Sequence, residues 1–453
     1  MKRDILPRSW IYPALAAFAT LSLAACGGGG GSPFMPPLQY TIRGTVSGLG
    51  VGLQVVLTDN GADALTLSAN GAFTFTAGIA SGGSYSVSVI TQPTGQTCTV
   101  ANATGSNVTA NVTSVNVVCA ASPHYAYVAN SGDNTISQYT VGAGGGLVPM
   151  STPTVSTGTA PQSVVVDPFG RYAYVPNLND NTVSQYTIGT DGSLVPMVPA
   201  TVATGVGPWA VAVDPSGSYA YVVNNSDRTI SQFTIGSGGA LTPMNPATIA
   251  TGSEPWCITI DPAGQYVYVA NHSGNTVSQY AIVLGGALAQ LSPPTVATGA
   301  LPSGTAIDPS GPYAYVADLN DNSVSQYTVG TGGVLAPQSP ATVAAGTEPV
   351  YIAVNPGGQN VYVANYTGGG AGTISQYSLG AAGLLAPMAT PTIAAGQGPA
   401  WIAVDRAGQY AYATNINDNT VSQFAIGADG SLTPLSTPTV STGVKPFVIA
   451  LVN

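Results

Sequence analysis

The chain has 453 residues and a formal net charge of −10, and only 6% of its residues are charged. Its 8 lysines and arginines are too few for the basic stripe with which proteins bind nucleic acid, so a nucleic-acid partner is excluded. The same shortage excludes electrostatic attachment to an anionic membrane surface. With so little charge, solubility must come from Asn, Ser, Thr, Gln and turn backbone, which is typical of an extracytoplasmic β protein.

Residues 1–25 are predicted to be a lipoprotein signal peptide. Lys2 and Arg3 precede the apolar stretch Trp10–Ala25, which is too short and too N-terminal for an ordinary membrane span. The stretch ends in a segment, residues 23–26, that resembles the bacterial lipobox, in which the cysteine, here Cys26, is lipidated and becomes the new N-terminus. An ordinary signal peptide followed by a chance cysteine is the alternative.

A glycine, Gly27, follows Cys26 where an aspartate would typically retain a lipoprotein at the inner membrane. The resemblance therefore implies a cell-envelope protein of the outer membrane, with the lipid as its only membrane contact. Residues 26–37 are glycine-rich and are predicted to be a flexible tether between the anchor and the folded part.

Residues 38–121 are predicted to form a small Ig-like β-sandwich, with antiparallel strands that alternate apolar and polar residues and are separated by Gly and Asn turns. The segment resembles the immunoglobulin-like or carboxypeptidase-regulatory-like modules of bacterial lipoproteins. Cys98 and Cys119 lie in this one small domain of an exported chain, so a disulfide between them is expected. Cys257 lies in an apolar strand further on and is expected to be a buried, inert thiol.

Residues 122–453 contain seven copies of a motif, Y-x-Y-V followed by [IV]-S-Q-[YF], in which Asn360 replaces the first tyrosine of one copy and Ala413 the valine of another. The interval is 47 residues five times and 50 residues once. A period of this length built from short β segments is typical of propeller blades, each made of four strands, A to D. The second tyrosine of each copy is Tyr127, Tyr174, Tyr221, Tyr268, Tyr315, Tyr362 or Tyr412.

The two ends of the repeat array predict that the ring is closed. The array starts at a strand B, Tyr125–Val128, and stops after a lone strand A, Phe447–Leu451. If the last strand completes the first blade, the ring has no exposed edges. The fold class is therefore all-β, with a seven-bladed β-propeller that is closed by the C-terminal strand and preceded by the sandwich.

The blade motif Gly-x-x-Pro-x-x-[IV]-Ala-[VI]-Asp-Pro-x-Gly-x-Tyr-Ala-Tyr-Val, followed by Thr-[IV]-Ser-Gln-Tyr, resembles the lactonase-type seven-bladed propeller family. Its members include 6-phosphogluconolactonase-like and YVTN-repeat proteins. The resemblance spans about residues 122–453 and implies the fold. It is unspecific for activity, because these residues build blades.

Residues that differ between the copies mark a candidate site where strand A begins and strand B ends. Glu254, Glu348 and Lys445 precede the proline of strand A, Asp318 replaces an asparagine at the end of strand B, and His272 follows that position in blade four. Glu254 or His272 could activate water for attack on a lactone carbonyl. The carboxylates could instead hold a hard cation, or the charges could simply lie on a solvated rim.

Aromatic residues occur at the same end of strand A. Trp209, Trp256 and Phe447 directly follow the strand A proline, and Tyr351 and Trp401 come one position later. They could stack on sugars or apolar ligands, or pack between neighbouring strands. The predicted ligand-binding set is Trp209, Trp256, Asp318, Glu348, Tyr351, Trp401, Lys445 and Phe447.

Two functions are consistent with this sequence. The first is a lipid-anchored propeller that binds a glycan, a small neutral ligand or a protein partner without catalysis. The second is a lactone hydrolase that resembles 6-phosphogluconolactonase, with Glu254 or His272 as the catalytic residue. The recurring Asn-Asp-Asn turns, such as Asn179-Asp180-Asn181, are interpreted as hairpin turns rather than calcium loops, so no metal and no cofactor are expected.

Overall fold

The structure, a computed structural model, describes residues 38–93, 96–121 and 124–452. The predicted signal peptide, Cys26 and the tether lie outside these residues. The described residues divide into two compact units, one that ends at residue 120 and one that begins at residue 121. Within the described residues, no helix has the length and apolarity needed to cross a membrane.

The first unit contains two four-stranded sheets that share one core. One sheet has the order β5-β2-β10-β8 and the other β4-β3-β7-β9, and β1 pairs with β6. The strands are β1 (Gln39–Tyr40), β2 (Ile42–Ser47), β3 (Val55–Asp59), β4 (Asp63–Leu67), β5 (Gly71–Thr74), β6 (Ile79–Ala80), β7 (Tyr85–Thr91), β8 (Gln96–Ala101), β9 (Thr104–Gly105) and β10 (Val112–Ala121). This is a β-sandwich, and its immunoglobulin-like topology stays a prediction.

Two details of the sandwich go beyond the sequence pattern. Cys98 and Cys119 form a disulfide that joins β8 to the neighbouring β10. The expectation of purely antiparallel strands was wrong, because β10 pairs with β2 in parallel. Alternation of apolar residues determines which face of a strand is buried but not the direction of its neighbour.

The second unit contains seven four-stranded sheets within residues 124–452, which confirms the seven-bladed propeller. In each blade, strands A to D follow one another as antiparallel neighbours. Blade one comprises β38 (Pro446–Val452), β11 (His124–Asn130), β12 (Thr135–Val141) and β13 (Leu147–Ser156). Blade two comprises β14 (Val165–Val166), β15 (Tyr172–Asn177), β16 (Thr182–Ile188) and β17 (Leu194–Ala203). Blade three comprises β18 (Pro208–Val213), β19 (Tyr219–Asn224), β20 (Thr229–Ile235) and β21 (Leu241–Ala250).

Blades four to seven repeat this arrangement, with a short 3-10 helix, Thr367–Gly369, in blade six. Blade four comprises β22 (Pro255–Ile260), β23 (Tyr266–Asn271), β24 (Thr276–Ile282) and β25 (Leu288–Ala297), and blade five comprises β26 (Pro302–Ile307), β27 (Tyr313–Asp318), β28 (Ser323–Val329) and β29 (Leu335–Ala344). Blade six comprises β30 (Pro349–Val354), β31 (Asn360–Asn365), β32 (Ala371–Leu379) and β33 (Leu385–Gln397). Blade seven comprises β34 (Pro399–Val404), β35 (Tyr410–Asn415), β36 (Thr420–Ile426) and β37 (Leu432–Ser441).

The C-terminal strand closes the ring as predicted. In blade one, β38 pairs antiparallel with β11, so that Val452 lies opposite Tyr125 and Ile449 opposite Val128. The blade is thus assembled from both ends of the repeat array, and Ile449 is 2% exposed in its core. Closure covers the β11 edge that would otherwise be open to pairing with another chain.

The motif residues hold each blade to the next one. The second tyrosine of Y-x-Y donates its hydroxyl hydrogen to a glycine carbonyl in the C–D turn of the following blade, as in the bond from Tyr221 to Gly286, 2.6 Å. The glutamine of S-Q-[YF] accepts the N–H of the leucine that starts the next strand D, as Gln232 does from Leu288 at 2.7 Å. The same contacts run from blade seven to blade one, where Tyr412 donates to Gly145 at 2.7 Å.

Strand D is longer and more regular than expected. β21 runs for ten residues through Pro243 and Pro246, with a register shift opposite Ser231 and Phe233. A proline costs no ladder hydrogen bond when its missing N–H faces outward on an edge strand. Prolines at this position also protect the rim of the propeller from pairing with other edges.

Candidate functional site

Strand A of each blade lines a central channel, and the starts of all strands A lie on one face of the ring. Pro255 lies opposite Asn271 and Pro349 opposite Asn365, so Glu254 and Glu348 precede strands on the same face. We call this the loop face. The A–B turns lie at the other end of the channel, on the turn face.

Three of the predicted aromatic residues form a cluster at the loop face. The indole of Trp209 stacks on that of Trp256, with centroids 5.1 Å apart, and contacts the ring of Phe447 edge-on at 5.9 Å. The ring of His272 stacks on Trp256 at 3.8 Å. Since blades one, three and four contribute these four rings, they cover part of the channel at this face, and we call them the aromatic cap.

His272 is held between two blades. It is 8% exposed, and its Nδ1 lies 3.2 Å from the carbonyl oxygen of Pro302. Burial lowers the pKa of His272, although the bond to Pro302 and the charge of Glu254 oppose this. A neutral ring that donates from Nδ1 leaves Nε2 as an acceptor. In blade three, Asn225 makes the equivalent bond to Pro255 at 3.4 Å, so a structural role explains the contact of His272 as well.

The two glutamates before strand A turn back onto their own blades, whereas Lys445 contacts the neighbouring blade through its backbone. The carboxylate of Glu254 accepts a hydrogen bond from the hydroxyl of Ser273, and that of Glu348 accepts one from the backbone N–H of Gly368. Lys445 is exposed and donates its backbone N–H to Asn419 at 2.8 Å. The two carboxylates therefore stabilise B–C loops.

Backbone geometry explains why these positions vary in side chain and not in conformation. The residue before the strand A proline has a positive φ in all seven blades: Ala160, Gly207, Glu254, Leu301, Glu348, Gly398 and Lys445. Glycine adopts this conformation without strain, whereas other residues carry a cost of about 1 kcal/mol. The common requirement at this position is therefore a backbone with positive φ, which all seven residues adopt.

Asp318 lies inside blade five, away from the channel. It is 0% exposed, and its Oδ2 accepts hydrogen bonds from Ser325 at 2.7 Å and Ser323 at 3.3 Å. Its Oδ1 has no hydrogen-bond partner among the described residues. Burial raises the pKa of Asp318 to about 6.

A cavity of about 290 Å³ lies in the channel, below the aromatic cap. Tyr351 and Trp401, whose rings stack on each other, form one wall. Strands A of blades two, three and four form the rest of the lining: Ser163, Val164, Val165, Ala210, Val211, Ala212, Val213, Cys257, Ile258, Thr259 and Ile260, with Pro215, Asp261 and Pro262 from the turn face. Of the five predicted aromatic residues, three therefore belong to the aromatic cap and two form the cavity wall.

A small polar cluster lies in the cavity wall. The hydroxyl of Thr259 lies 2.6 Å from that of Thr305, and Cys257 Sγ lies 3.4 Å from the Thr305 hydroxyl. Burial raises the pKa of the Cys257 thiol, so the cluster is uncharged at neutral pH. Most copies have alanine where blade four has Thr259, so comparison of the repeats could have identified this cluster.

The backbones of blades five and six approach each other closely at Gly304, beside the cavity wall that contains Tyr351. Gly304 follows Ser303 in strand A of blade five, where other blades have larger residues. A Cβ at Gly304 would lie 2.8 Å from both the Tyr351 Cα and the Val350 carbonyl oxygen. The glycine thus permits blade six to come close enough for Tyr351 to enter the channel.

The Asn and Asp residues of the B–C turns satisfy backbone groups. Asp180 accepts the N–H of Thr159 at 2.6 Å, and Asn181 accepts that of Gly207 in the next blade at 2.9 Å. Equivalent bonds recur around the ring, so hydrogen bonds within and between hairpin turns explain the Asn and Asp residues at these positions. Within the described residues, no cluster of His, Cys, Asp and Glu side chains could hold a metal ion.

The repeat that builds this ring is also the signature of a known family. The sequence profile of the lactonase seven-bladed β-propeller family matches residues 84–198, 293–392 and 331–448, which together are more than half of the chain. The chain belongs to this family. No curated protein has a significant match to it.

Several solved structures share the lactonase propeller. A putative 6-phosphogluconolactonase from Bacteroides fragilis is 20% identical, with a TM-score of 0.65 over 73% of this chain and 98% of that one. A putative 6-phosphogluconolactonase from Bacteroides uniformis is 19% identical, with a TM-score of 0.62 over 73% and 100%. The periplasmic gluconolactonase of Pseudomonas aeruginosa is 17% identical, with a TM-score of 0.60 over 73% and 99%. At these identities the likeness shows the fold alone.

Proposed function

We propose that this lactonase-family propeller binds a small uncharged ligand in its channel cavity and does not change it chemically. The observation that carries the proposal is the composition of the cavity of about 290 Å³. Its lining combines the stacked rings of Tyr351 and Trp401 with the hydroxyl-bearing side chains of Ser163 and Thr259. Aromatic faces stack on sugar rings, and hydroxyls exchange hydrogen bonds with them. A glycan unit or a sugar lactone fits this chemistry, and a protein partner fits a cavity of this volume less well.

The charges of the lining argue against catalysis in the cavity. Asp261 is its one carboxylate among the described residues, and that group accepts the N–H groups of Gln265 and Tyr266 at 2.6 Å each. Both bonds go to its Oδ1, so one of its two oxygens is used by the A–B turn, and the pKa of Cys257 is raised by burial. A general base must lie within reach of the proton that it removes, and Asp261 lies in a turn at the end of the cavity rather than in the strands that line it.

The second candidate function is hydrolysis of a neutral lactone. Two observations favour it: structural neighbours are described as gluconolactonases, and His272 has an available Nε2 at the loop face. In this scheme His272 or Glu254 activates water. A phosphorylated substrate would require several cations to hold the phosphate, and the described loops of this face offer Lys445 and Arg228, which belong to different blades.

One experiment separates the two candidates. The purified full chain with Cys26→Ser is titrated with glucono-δ-lactone and with glucose by calorimetry, and lactone opening is followed by acid release. The proposal predicts binding without acceleration of ring opening. Turnover that is lost in His272→Ala or Glu254→Gln would contradict it and establish the hydrolase.

We further propose that the protein is anchored in the outer membrane through a lipid on Cys26. The lipobox-like segment and the following Gly27 support this localisation. Metabolic labelling with an alkyne fatty acid should mark the wild-type protein in the outer-membrane fraction. Cys26→Ser should abolish the label and release the protein to the soluble envelope fraction, and a labelled Cys26→Ser variant would contradict the proposal.

A further inference from the structure

We propose that ligands reach the cavity from the turn face, through a ring of aspartates that admits uncharged and cationic molecules and repels anions. The inference concerns the route to the site proposed above and in that sense rests on it. Three separate features of the channel support it: its partly covered end, its solvent-accessible end and the charge around the latter.

The aromatic cap covers part of the loop-face end of the cavity. In five blades the lining begins at the second residue after the strand A proline, as at Ala210 and Cys257. The first residues, Trp209 and Trp256, stack on each other at this end and are joined from the opposite side of blade two by Phe447. These packed rings narrow the entrance from the loop face.

The turn-face end is accessible to solvent. The last two residues of strand A are half-exposed in every blade, whereas the residues before them are mostly buried. Strand B and the neighbouring blades cover the other sides of strand A, so this exposure faces the channel. Pro215 and Pro262, both exposed A–B turn residues, line the cavity at this end.

The accessible end carries negative charge. An aspartate directly follows strand A in five blades, namely Asp167, Asp214, Asp261, Asp308 and Asp405. Asp261 lines the cavity itself, and the others occupy the same position in neighbouring turns. Arg171 pairs with Asp167 at 3.0 Å and Arg406 directly follows Asp405, so the carboxylates of these turns outnumber their cations and the net charge is negative. A net negative charge at a channel end concentrates cations and neutral solutes relative to anions.

Cys257 makes this route measurable without knowledge of the ligand. In the full chain with Cys26→Ser, it is the remaining thiol outside the Cys98–Cys119 disulfide. A thiolate attacks the thiosulfonate sulfur of a methanethiosulfonate, forms a mixed disulfide and releases methanesulfinate. Three reagents differ in charge: methyl (neutral), trimethylammonioethyl (cationic) and sulfonatoethyl (anionic) methanethiosulfonate.

Each reagent's rate at Cys257 is measured by mass spectrometry at one alkaline pH and divided by its rate with 2-mercaptoethanol. We expect the cationic reagent to exceed the anionic one by about tenfold after this correction. Pro262→Trp, which narrows the turn-face end, should slow all three reagents. The matched control Val206→Trp, on an exposed loop-face residue, should leave the rates unchanged.

The inference is overturned if Val206→Trp slows modification and Pro262→Trp does not, or if the corrected cationic and anionic rates are equal. An unreactive Cys257 in the folded wild-type chain overturns it as well. Because no ligand takes part, a failed ligand titration would contradict the proposed function and leave this result unaffected.

Discussion

At the end of strand B, blade five has a carboxylate oxygen where the other six blades have an amide nitrogen. Where six blades end strand B with an asparagine, as Asn271 does, the amide donates to two hydroxyls, here those of Thr276 at 3.0 Å and Ser278 at 2.9 Å. Asp318 cannot donate when it is ionised, so the hydroxyls of Ser323 and Ser325 must donate to it instead. Its carboxyl is surrounded by strand C with Tyr327 and by the B–C loop with Asp321, and no cation among the described residues compensates its charge.

We predict that Asp318→Asn stabilises the propeller at pH 8. In the folded chain the pKa of Asp318, about 6, lies above the ordinary carboxyl value of 3.8. A raised carboxyl pKa stabilises the fold below pH 3.8, and that stability is lost as the pH rises through about 6. The difference corresponds to about 3 kcal/mol at pH 8, and it should shrink as the pH falls from about 6 towards 4. Urea unfolding followed by the fluorescence of Trp209, Trp256 and Trp401 measures it.

The matched control is the reverse exchange in blade four. Asn271→Asp should destabilise the propeller at pH 8 by a similar amount and should lose most of this effect near pH 4. A pH-independent difference between wild type and Asp318→Asn would show that the carboxyl is not the cause.

The sequence identified Asp318 as exceptional but placed it at the channel rim. Comparison of copies finds such a residue because the other six blades define the normal one. It cannot tell that the side chain points into the blade, since that depends on how strand C packs against strand B. Thr259, which lines the cavity, and Gly304, which lies against the backbone of Tyr351, were missed for a related reason, because small changes within an apolar strand gave no chemical signal on their own.

At the scale of elements, the tyrosine–glycine contact between blades is the repeated unit of stability. Tyr221 is buried at 0% exposure, and its hydroxyl bonds the Gly286 carbonyl in the next blade. The ring of Tyr219 fills the space beside Gly286, where a Cβ would lie 2.2 Å from it. Glycine is thus required in the C–D turn by the neighbouring blade as well as by its own positive φ of 83°.

We predict that Tyr221→Phe destabilises the propeller by about 1–2 kcal/mol. The substitution removes one buried hydroxyl and leaves the Gly286 carbonyl without its partner. Tyr219→Phe, at the half-exposed tyrosine two residues earlier, is the control and should change stability by less than about 0.5 kcal/mol. Equal losses in the two variants, measured by urea unfolding, would contradict this role of the contact.

Strand A also explains why the aromatic residues divide into two groups. The pairing of strands A and B shifts register between Pro208 and Ala210 and at the same point in blades four to seven, so the residue after the proline lies in a bulge. A bulge interrupts the alternation of side chains along a strand. Trp209 and Tyr351, one position apart in the repeat, therefore have different surroundings, and the sequence pattern did not contain the bulge.

At the scale of the whole molecule, the ring depends on one strand supplied from the far end of the repeat array. The sequence predicted this closure because the repeat begins at a strand B and ends at a strand A. The pairing of β38 with β11 confirms it. The fold was predictable to this extent because seven copies report the same blade, whereas the cavity depends on residues that occur in one copy each.

We predict that a chain ending at Val444 has an incomplete, strongly destabilised propeller. It lacks β38 and exposes the edge of β11, which should promote aggregation. A synthetic peptide of residues 445–453 should restore the thermal transition by adding the missing strand. A peptide of the same composition in scrambled order serves as the control, and rescue by both peptides, or full stability without either, would contradict the role of closure.

The central claim is that Tyr351 and Trp401 form the binding wall while the aromatic cap does not. The most direct measurement is calorimetric affinity of the full chain with Cys26→Ser for glucono-δ-lactone, compared between Trp401→Ala and Trp209→Ala. We predict that Trp401→Ala weakens binding by about tenfold, because stacking on one aromatic face contributes about 1–2 kcal/mol. Trp209→Ala should bind like wild type. Unchanged affinity in Trp401→Ala together with lost affinity in Trp209→Ala would contradict the account and move the site to the loop face.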